Sequence, residues 1–416
     1  MTLHIIDEAD RCLKCKKPMC QQGCPIHTPV PQITQLFLEN KLSEAGEILF
    51  QNNPFSIICS RICNHEAQCE GHCVLGRKGS PIHFSSIENF ISDSYIDRMK
   101  IQKPEKKDKK AAVIGAGPAG ITVALRLALR GIHVTVFEER SEIGGMLRYG
   151  IPEFRLPKSI LGKYQKLMES LDIQIRPNTV IGSALVIDDL FRDGYDSIFI
   201  GTGVWRPKTL GIQGESLGNV YYGIDYLRNP EVHHLGKKIA VIGMGNVAMD
   251  VARTVLRNGA EEVTLYARGK RIAASSSEVS CTRLEGAQFV FGKAIESINE
   301  KGPVFKISIF DKENKVVGYK EEREQTKADS VIICASQGPK NKLILTTDRL
   351  ESSDKGLLLT DEKCMTTHPG VFAAGDVVHG AKTVVHAVEE AKRAADAMIR
   401  YMELTNFPNS QRCCDT

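Results

Sequence analysis

Apolar residues in this chain gather in short runs rather than long ones. Residues 111–114 and 239–242 are unbroken apolar runs, each closed by a glycine-rich turn. Runs of this length predict strands buried on both faces, as in a parallel sheet. Residues 133–138 and 262–266 read as the next strand after each turn, so each turn belongs to a strand–turn–helix–strand unit. A further short strand is expected within residues 370–376, ahead of a helix over about residues 386–402. Nearer the start, Ile33, Leu36, Phe37 and Leu42 predict an amphipathic helical stretch over residues 33–50. No run of 18 apolar residues occurs, so no membrane-spanning helix is expected.

The chain has 416 residues, enough for two or three domains. With 54 basic and 50 acidic residues its net charge is +4, too balanced to predict a nucleic acid or an anionic membrane as partner. The run of lysines over residues 103–110 reads as a solvated linker. The first residues lack the basic and apolar blocks of a signal peptide, which predicts a cytoplasmic protein.

Two turns carry candidate chemistry. In the first, Gly115, Ala116, Gly117, Pro118, Ala119 and Gly120 join a strand to a helix. In such a turn the first glycine bends the chain. The second lets the backbone approach a pyrophosphate, and the third lets helix pack on strand. The helix N-terminus offers N–H groups to the phosphates. Glu138 ends the following strand where a carboxylate takes ribose hydroxyls; Glu139 replaces it if the register slips by one. The second turn is Gly243, Met244, Gly245, Asn246, Val247 and Ala248. Its next strand ends in Tyr266-Ala267-Arg268-Gly269-Lys270-Arg271, with no acid at the tip. A carboxylate there would repel a 2′-phosphate, whereas Arg268 with Lys270 or Arg271 attracts it. This reading favours NADPH over NADH; the plainer alternative is a charged loop.

Thirteen cysteines in a chain without an export signal argue for metal or redox chemistry rather than disulfides. Eight form two combs: Cys12, Cys15, Cys20 and Cys24, then Cys59, Cys63, Cys69 and Cys73. Two zinc sites compete with iron–sulfur clusters for these thiols. Structural zinc favours paired C-x2-C knuckles, and only Cys12 and Cys15 form one. His65 and His72 read as polar neighbours of the combs. Cys281, Cys334, Cys364, Cys413 and Cys414 read as buried or tail thiols.

Further motifs join these in order: Pro54-Phe55, Gln68-Cys69-Glu70-Gly71-x-Cys73, Ile87-Glu88, the segment 144–157, Gly201-Thr202-Gly203-Val204-Trp205 and Gly375-Asp376. Together, over about residues 8–400, the chain resembles the small-subunit-like chains of NADPH-dependent glutamate synthase. That family is similar to the N-terminal part of dihydropyrimidine dehydrogenase and to the NADPH-binding chain of bifurcating ferredoxin:NADP oxidoreductases. The resemblance implies one FAD, one NADP(H) and two [4Fe–4S] clusters. It assigns Cys12, Cys15, Cys20 and Cys73 to one cluster, and Cys24, Cys63, Cys69 and Glu88 to the other. Cys59 matches a non-ligand, although counting alone pairs eight cysteines into two sets of four. The resemblance places Gly145, Met146 and Arg155 against FAD, with Gly375 and Asp376 at its ribityl and pyrophosphate end. Thr383 and Val384 open the last helix toward the flavin. Three features depart from the family: Gly269 replaces a second arginine, the loop over residues 272–278 lacks Met-Pro, and Ala335-Ser336-Gln337-Gly338 replaces Ala-Ile-Gly-Gln.

The expected fold is α/β: two nested Rossmann-like dinucleotide-binding domains after a mainly helical iron–sulfur domain. The domains are expected at 1–104 (clusters), 105–235 with 340–416 (FAD) and 236–339 (NAD(P)H). The expected activity is an NAD(P)H oxidoreductase that moves electrons between NADPH, FAD and two clusters. The chain ends soon after the last FAD helix, so the acceptor is expected in another subunit or a ferredoxin-like carrier, in a hetero-oligomer. Alternatives are a non-autonomous wiring subunit of a larger, bifurcating or non-bifurcating complex, a glutamate synthase small subunit, a sulfide- or polysulfide-linked oxidoreductase, and a homologue that keeps flavin but not catalysis.

Overall fold

A computed structural model describes residues 4–99 and 102–405; Cys413 and Cys414 lie outside the described residues. The N-terminal region is helical, with longer helices at Val30–Leu38, Leu42–Asn52, Ser56–Ile62 and Phe84–Arg98. Ile33, Leu49, Ile57, Ile58, Phe84 and Ile87 fill its core. The single helical stretch expected over 33–50 is two helices. Asn40 sits in the left-handed region at φ 60°, Lys41 N–H reaches Leu36 O at 2.9 Å and Asn40 N–H reaches Phe37 O at 3.0 Å. That bonding ends a helix whatever the apolar spacing beyond it.

Two five-stranded sheets follow, each wholly parallel. The first runs Val371–Ala373, Ser197–Ile200, Lys110–Ile114, His133–Phe137, Gln174–Arg176. Its edge strand at Val371–Ala373 returns from the far end of the chain, so the first unit is closed by the last segment. The second sheet runs Val220–Tyr222, Ser330–Ile333, Lys238–Ile242, Glu262–Ala267, Gln288–Phe291. Both central strands are apolar because both of their faces are covered: Lys110–Ile114 and Lys238–Ile242 are exposed only at the first residue. An antiparallel sheet of Lys293–Asn299, Gly302–Phe310 and Val316–Gln325 is added to the second unit.

By internal contacts the chain forms two units: residues 1–148, 153–204 and 338–416, and residues 149–152 with 205–337. The expected start of the second nucleotide domain at 236 is therefore too late. Val220–Tyr222 already pairs with Ser330–Ile333 in its sheet. A short, half-buried lead-in strand carries no glycine turn, so nothing in its pattern marks it.

The helical region shares a contact unit with the first nucleotide fold, and the join is specific. Phe55 stacks on Tyr164, ring centres 4.6 Å apart and planes 11° from parallel. Both side chains are fully buried. The Tyr164 hydroxyl donates to Pro54 O at 2.5 Å, and Lys163 Nζ bridges Asp93 and Asp97 at 2.9 Å each. The linker is tied down as well, with Lys103 paired to Asp172 and Lys106 donating to Leu171 O.

Tyr164→Phe leaves the Pro54 carbonyl buried without its donor, and is expected to cost about 1–3 kcal/mol. Phe55→Ala is expected to cost about 3–5 kcal/mol. Urea unfolding measures both. A Phe55→Ala chain with native stability would show that this stack does not hold the two parts together.

Candidate functional site

The first glycine turn is built by close approach. A Cβ on Gly120 would stand 1.9 Å from Gly115 O, so only glycine lets the helix Pro118–Ala128 start against the strand Lys110–Ile114. Three other segments converge on this turn. Gly144 N–H donates to Ala116 O at 2.8 Å, and a Cβ on Gly145 would lie 2.8 Å from Gly117 Cα. Gly201 O crowds Gly115, and Gly375 packs near the Ala119 methyl. The motifs at 144–145, 201–203 and 375–376 are thus one place in space. The backbone left bare at Gly117 ahead of a helix N-terminus suits a pyrophosphate.

Glu138 reaches back to this turn. Its carboxylate accepts from Ala116 N–H at 2.6 Å and Arg140 N–H at 3.0 Å. Burial pushes its pKa above the ordinary range despite those two donors. One donor per oxygen leaves lone pairs for ribose hydroxyls. Glu139 is instead exposed and paired with Lys340, so the register slip does not occur. Met146 starts the short helix Met146–Tyr149 beside the turn, half-buried. Arg155 lies half-buried at the end of the same motif.

Asp376 opens a short helix directly after Gly375, and its Oδ1 accepts from Lys382 N–H at 3.1 Å. Burial raises its pKa to about 6. Thr383 and Val384 stand at the start of the helix Val384–Leu404, where Thr383 Oγ1 bonds His386 Nδ1 at 2.6 Å. Sequence reading missed Glu390. Buried on that helix, it accepts from Gly375 N–H at 2.9 Å and stands 3.3 Å from Lys382 Nζ. The available signal was an acid set among Ala387, Val388 and Ala391 on a buried face.

In the second unit the glycine turn and the basic loop are stitched together. Met244 O accepts from Ala273 and Ala274 N–H, at 3.0 and 3.1 Å. Asn246 Oδ1 accepts from Ser275 N–H at 3.1 Å, and Ser308 Oγ holds Arg268 O at 2.8 Å. No atom lies within 4 Å of where a Cβ on Gly245 would stand, so backbone is open ahead of the helix Asn246–Arg257. Arg268 and Arg271 are exposed, and neither pairs with a carboxylate among the described residues. Lys270 is committed elsewhere: its ammonium bonds Asn314 Oδ1 at 2.7 Å and lies 4.8 Å over the Phe310 ring. Of the three cations, the two arginines are the ones available to a phosphate.

The cysteines of the helical region form two groups. Cys12, Cys15, Cys20 and Cys73 line one cavity with Leu13, Met19 and Leu75; Cys69 also reaches its wall. Burial, with the neighbouring thiols, pushes Cys12 up and Cys20 up to about 11. In the second group Cys69 is raised by burial and then by Glu88 and Cys24. The hydrogen bond with Cys59, followed by burial, raises Cys63. Glu88 itself is buried, and burial and then Cys59 and Glu70 raise its pKa. Its carboxyl gains no hydrogen bond or ion pair among the described residues. A buried carboxyl without a donor beside Cys59, Cys63 and Cys69, with Cys24 next to Cys69, is a donor set that suits a metal centre. Among the described residues no three His, Cys, Asp or Glu side chains stand close enough for one ion. Thiols ringing a cavity fit the wider span of a cluster. Cys59 is not set apart: its thiol bonds Cys63 and Asn53. His65, expected as a polar neighbour, has a buried Nε2 without a partner, and His72 bonds Gln68 O at 2.7 Å.

Comparison with known proteins gives the family. Residues 109–391 match the model of the pyridine nucleotide-disulphide oxidoreductase family. Residues 1–100 match dihydropyrimidine dehydrogenase domain II, 4Fe-4S cluster. The chain is 32% identical to the glutamate synthase [NADPH] small chain of Escherichia coli K12, over 95% of this chain and 91% of the relative. It is 30% identical to the NAD-dependent dihydropyrimidine dehydrogenase subunit PreT of the same organism, over 97% and 95%. Among solved structures, FprA of Mycobacterium tuberculosis in complex with NADPH shares the fold, with TM-score 0.61 and 18% identity over 72% of this chain and 85% of that one. No helix among the described residues is long and apolar enough to cross a membrane.

A carboxyl raised by burial costs the fold stability once it ionises. For Asp376 that cost is absent below its ordinary pKa and grows as pH rises through about 6. In flavin-stripped protein, Asp376→Asn is expected to gain about 2–3 kcal/mol near pH 7.5 and little near pH 4, read by urea unfolding. Equal gains at both pH values would remove burial as the cause.

Proposed function

Because the chain belongs to the pyridine nucleotide-disulphide oxidoreductase family and resembles the glutamate synthase small chain over nearly its whole length, we propose that it passes electrons between NADPH, one FAD and two [4Fe–4S] clusters, to or from a separate carrier or partner subunit. That it is an NAD(P)H-dependent flavin oxidoreductase with a 4Fe-4S domain follows from the family. The number of clusters, the preference for NADPH and the roles of individual residues are the proposal. The observation that carries it is the buried, uncompensated Glu88 carboxyl beside Cys63 and Cys69. With four thiols around the separate cavity, it makes two donor sets rather than one.

When bound, the nicotinamide supplies a hydride, the flavin converts it to single electrons, and the clusters carry those one at a time. The protein's part is placement. Gly117 and the N-terminus of Pro118–Ala128 hold the flavin nucleotide's pyrophosphate, and Glu138 holds its ribose. Gly145 and Met146 line the same cradle, with Gly375 and Asp376 at the ribityl end; Arg155 and the helix start at Thr383 and Val384 complete it. Gly243 to Val247 hold the second pyrophosphate, and Arg268 and Arg271 take the 2′-phosphate. Cys12, Cys15, Cys20 and Cys73 hold one cluster; Cys24, Cys63, Cys69 and Glu88 hold the other. Metal binding must displace the protons that burial favours on Cys12, Cys20 and Cys69, so loading releases protons.

A second reading, a wiring subunit without activity of its own, draws on the relatives' names: one is a small chain and another a subunit. A stable heteromer whose turnover vanishes on separation supports that reading.

Anaerobic addition of NADPH is expected to bleach the flavin, and iron analysis to give about eight Fe per chain. No bleaching with either nicotinamide removes the electron-transfer reading. Arg268→Ala with Arg271→Ala is expected to weaken NADPH at least about tenfold while barely changing NADH; equal losses would move the 2′-phosphate elsewhere. Glu88→Ala is expected to reduce iron toward about four per chain, while Cys59→Ala keeps it near about eight. The opposite pattern exchanges their roles.

A further inference from the structure

The cavity ringed by Cys12, Cys15, Cys20 and Cys73 differs from the other thiol group in where it lies. These four cysteines are half-buried; in the other group only Cys63 is, whereas Cys24, Cys59 and Cys69 are buried. Lys14, Lys16 and Lys17 lie in sequence between the lining residues Leu13 and Met19, and Arg77 and Lys78 follow the lining residue Leu75; all five are exposed. Among the described residues none of the five forms an ion pair or a side-chain hydrogen bond, and Lys14 acts only at longer range on Glu39. The two segments that carry them, residues 11–38 and 71–87, contain no Asp or Glu. Carboxylates nearby are already committed: Glu39 pairs with Lys41, and Glu70 accepts from Ser85 N–H and faces His83. Arg11 is turned away to Glu8. At the centre, Leu13 is 61% exposed and lines the cavity.

Five cations without an ion pair among the described residues, all close in sequence to the cavity's lining residues, concentrate positive charge in a chain whose net charge is only +4. Like charges so close repel one another and gain nothing for the fold. They create a local positive field that steers an oppositely charged partner and orients it on arrival. An exposed apolar residue inside a charged rim is also the pattern of a docking surface.

We propose that this rim is the docking site for an electron-carrier protein with an acidic face, seated over Leu13 with its redox centre toward the Cys12–Cys73 cavity. The proposal rests on the electron-transfer reading above. Each docking passes one electron between the chain and the carrier, with no bond made or broken. One NADPH, giving up two electrons and leaving NADP+ and a proton, reduces two oxidised carriers in turn.

Binding is measured on the flavin- and iron-loaded chain with an acidic [2Fe–2S] ferredoxin as the probe and basic cytochrome c as its opposite. Ferredoxin is expected to bind, and to weaken at least about tenfold from about 20 to about 300 mM salt. Lys17→Glu with Lys78→Glu is expected to weaken it about tenfold or more, and the Gln pair less. Lys315→Glu, on an exposed turn of the second unit, is expected to change nothing. Iron and flavin content confirm that each variant is loaded. Ferredoxin that fails to bind, binds independently of salt, or binds the Lys17→Glu, Lys78→Glu chain as tightly as the native one overturns the proposal; so does tight binding of cytochrome c. Binding needs no turnover. Failure of NADPH to bleach the flavin therefore condemns the electron-transfer reading without deciding the docking surface.

Discussion

The first nucleotide fold depends on one steric constraint, the contact between the helix start at Gly120 and the carbonyl of Gly115. With 1.9 Å available where a side chain would begin, the helix lies hard against the strand's end. Its N–H groups then point at whatever occupies the turn. The same tightness makes the turn a landing point for distant chain. The segments at 144–145, 201 and 375 all rest against it. Residues 260 positions apart in the chain, Gly115 and Gly375, become neighbours in one cradle because the strand Val371–Ala373 returns to the edge of the same sheet. A chain that must close a sheet this way cannot place the residues of that cradle in one sequence block.

Charge in the molecule is arranged by the same logic of burial. Carboxylates that stay inside are held by backbone donors, as Glu138 is at Ala116 and Arg140, and Glu390 at Gly375. Glu88 gains no such donor among the described residues, and a buried carboxyl without donors costs free energy unless a cation joins it. Beside it, burial raises Cys69 and the hydrogen bond with Cys59 raises Cys63, so a metal joining this group would displace their protons. At the surface the opposite holds. The lysines around Cys12 and Cys15 remain unpaired in water, where repulsion costs little and steering is useful.

The join between the helical region and the first nucleotide fold explains why these parts act as one body. An aromatic stack with a buried hydroxyl-to-carbonyl bond sits at its centre. Lys163, the neighbour of Tyr164, adds two carboxylates from the helix Phe84–Arg98, the helix that also carries Glu88. Ordinary packing thereby ties the helix that carries Glu88 to the first nucleotide fold.

Much of this was legible in the chain itself. Glycine spacing at 115–120 and 243–248, apolar runs before each turn and the cysteine combs depend only on neighbours in sequence, because turn geometry and strand burial are local demands. The choice of Glu138 over Glu139 was not local. It required knowing which residue's side chain turns inward at the strand's end. The split of the 33–50 stretch was decided by Asn40 adopting a left-handed turn, a choice that apolar periodicity does not register. Glu390, the lead-in strand Val220–Tyr222 and the commitment of Lys270 to Asn314 and Phe310 likewise appear only when distant segments meet. Sequence by itself determined which residues could do chemistry and in what kind of fold. Tertiary structure alone decided which of them share a cradle, which are already satisfied by a neighbour, and which are left unpaired, because hydrogen bonds and burial are made between segments that the chain order keeps far apart.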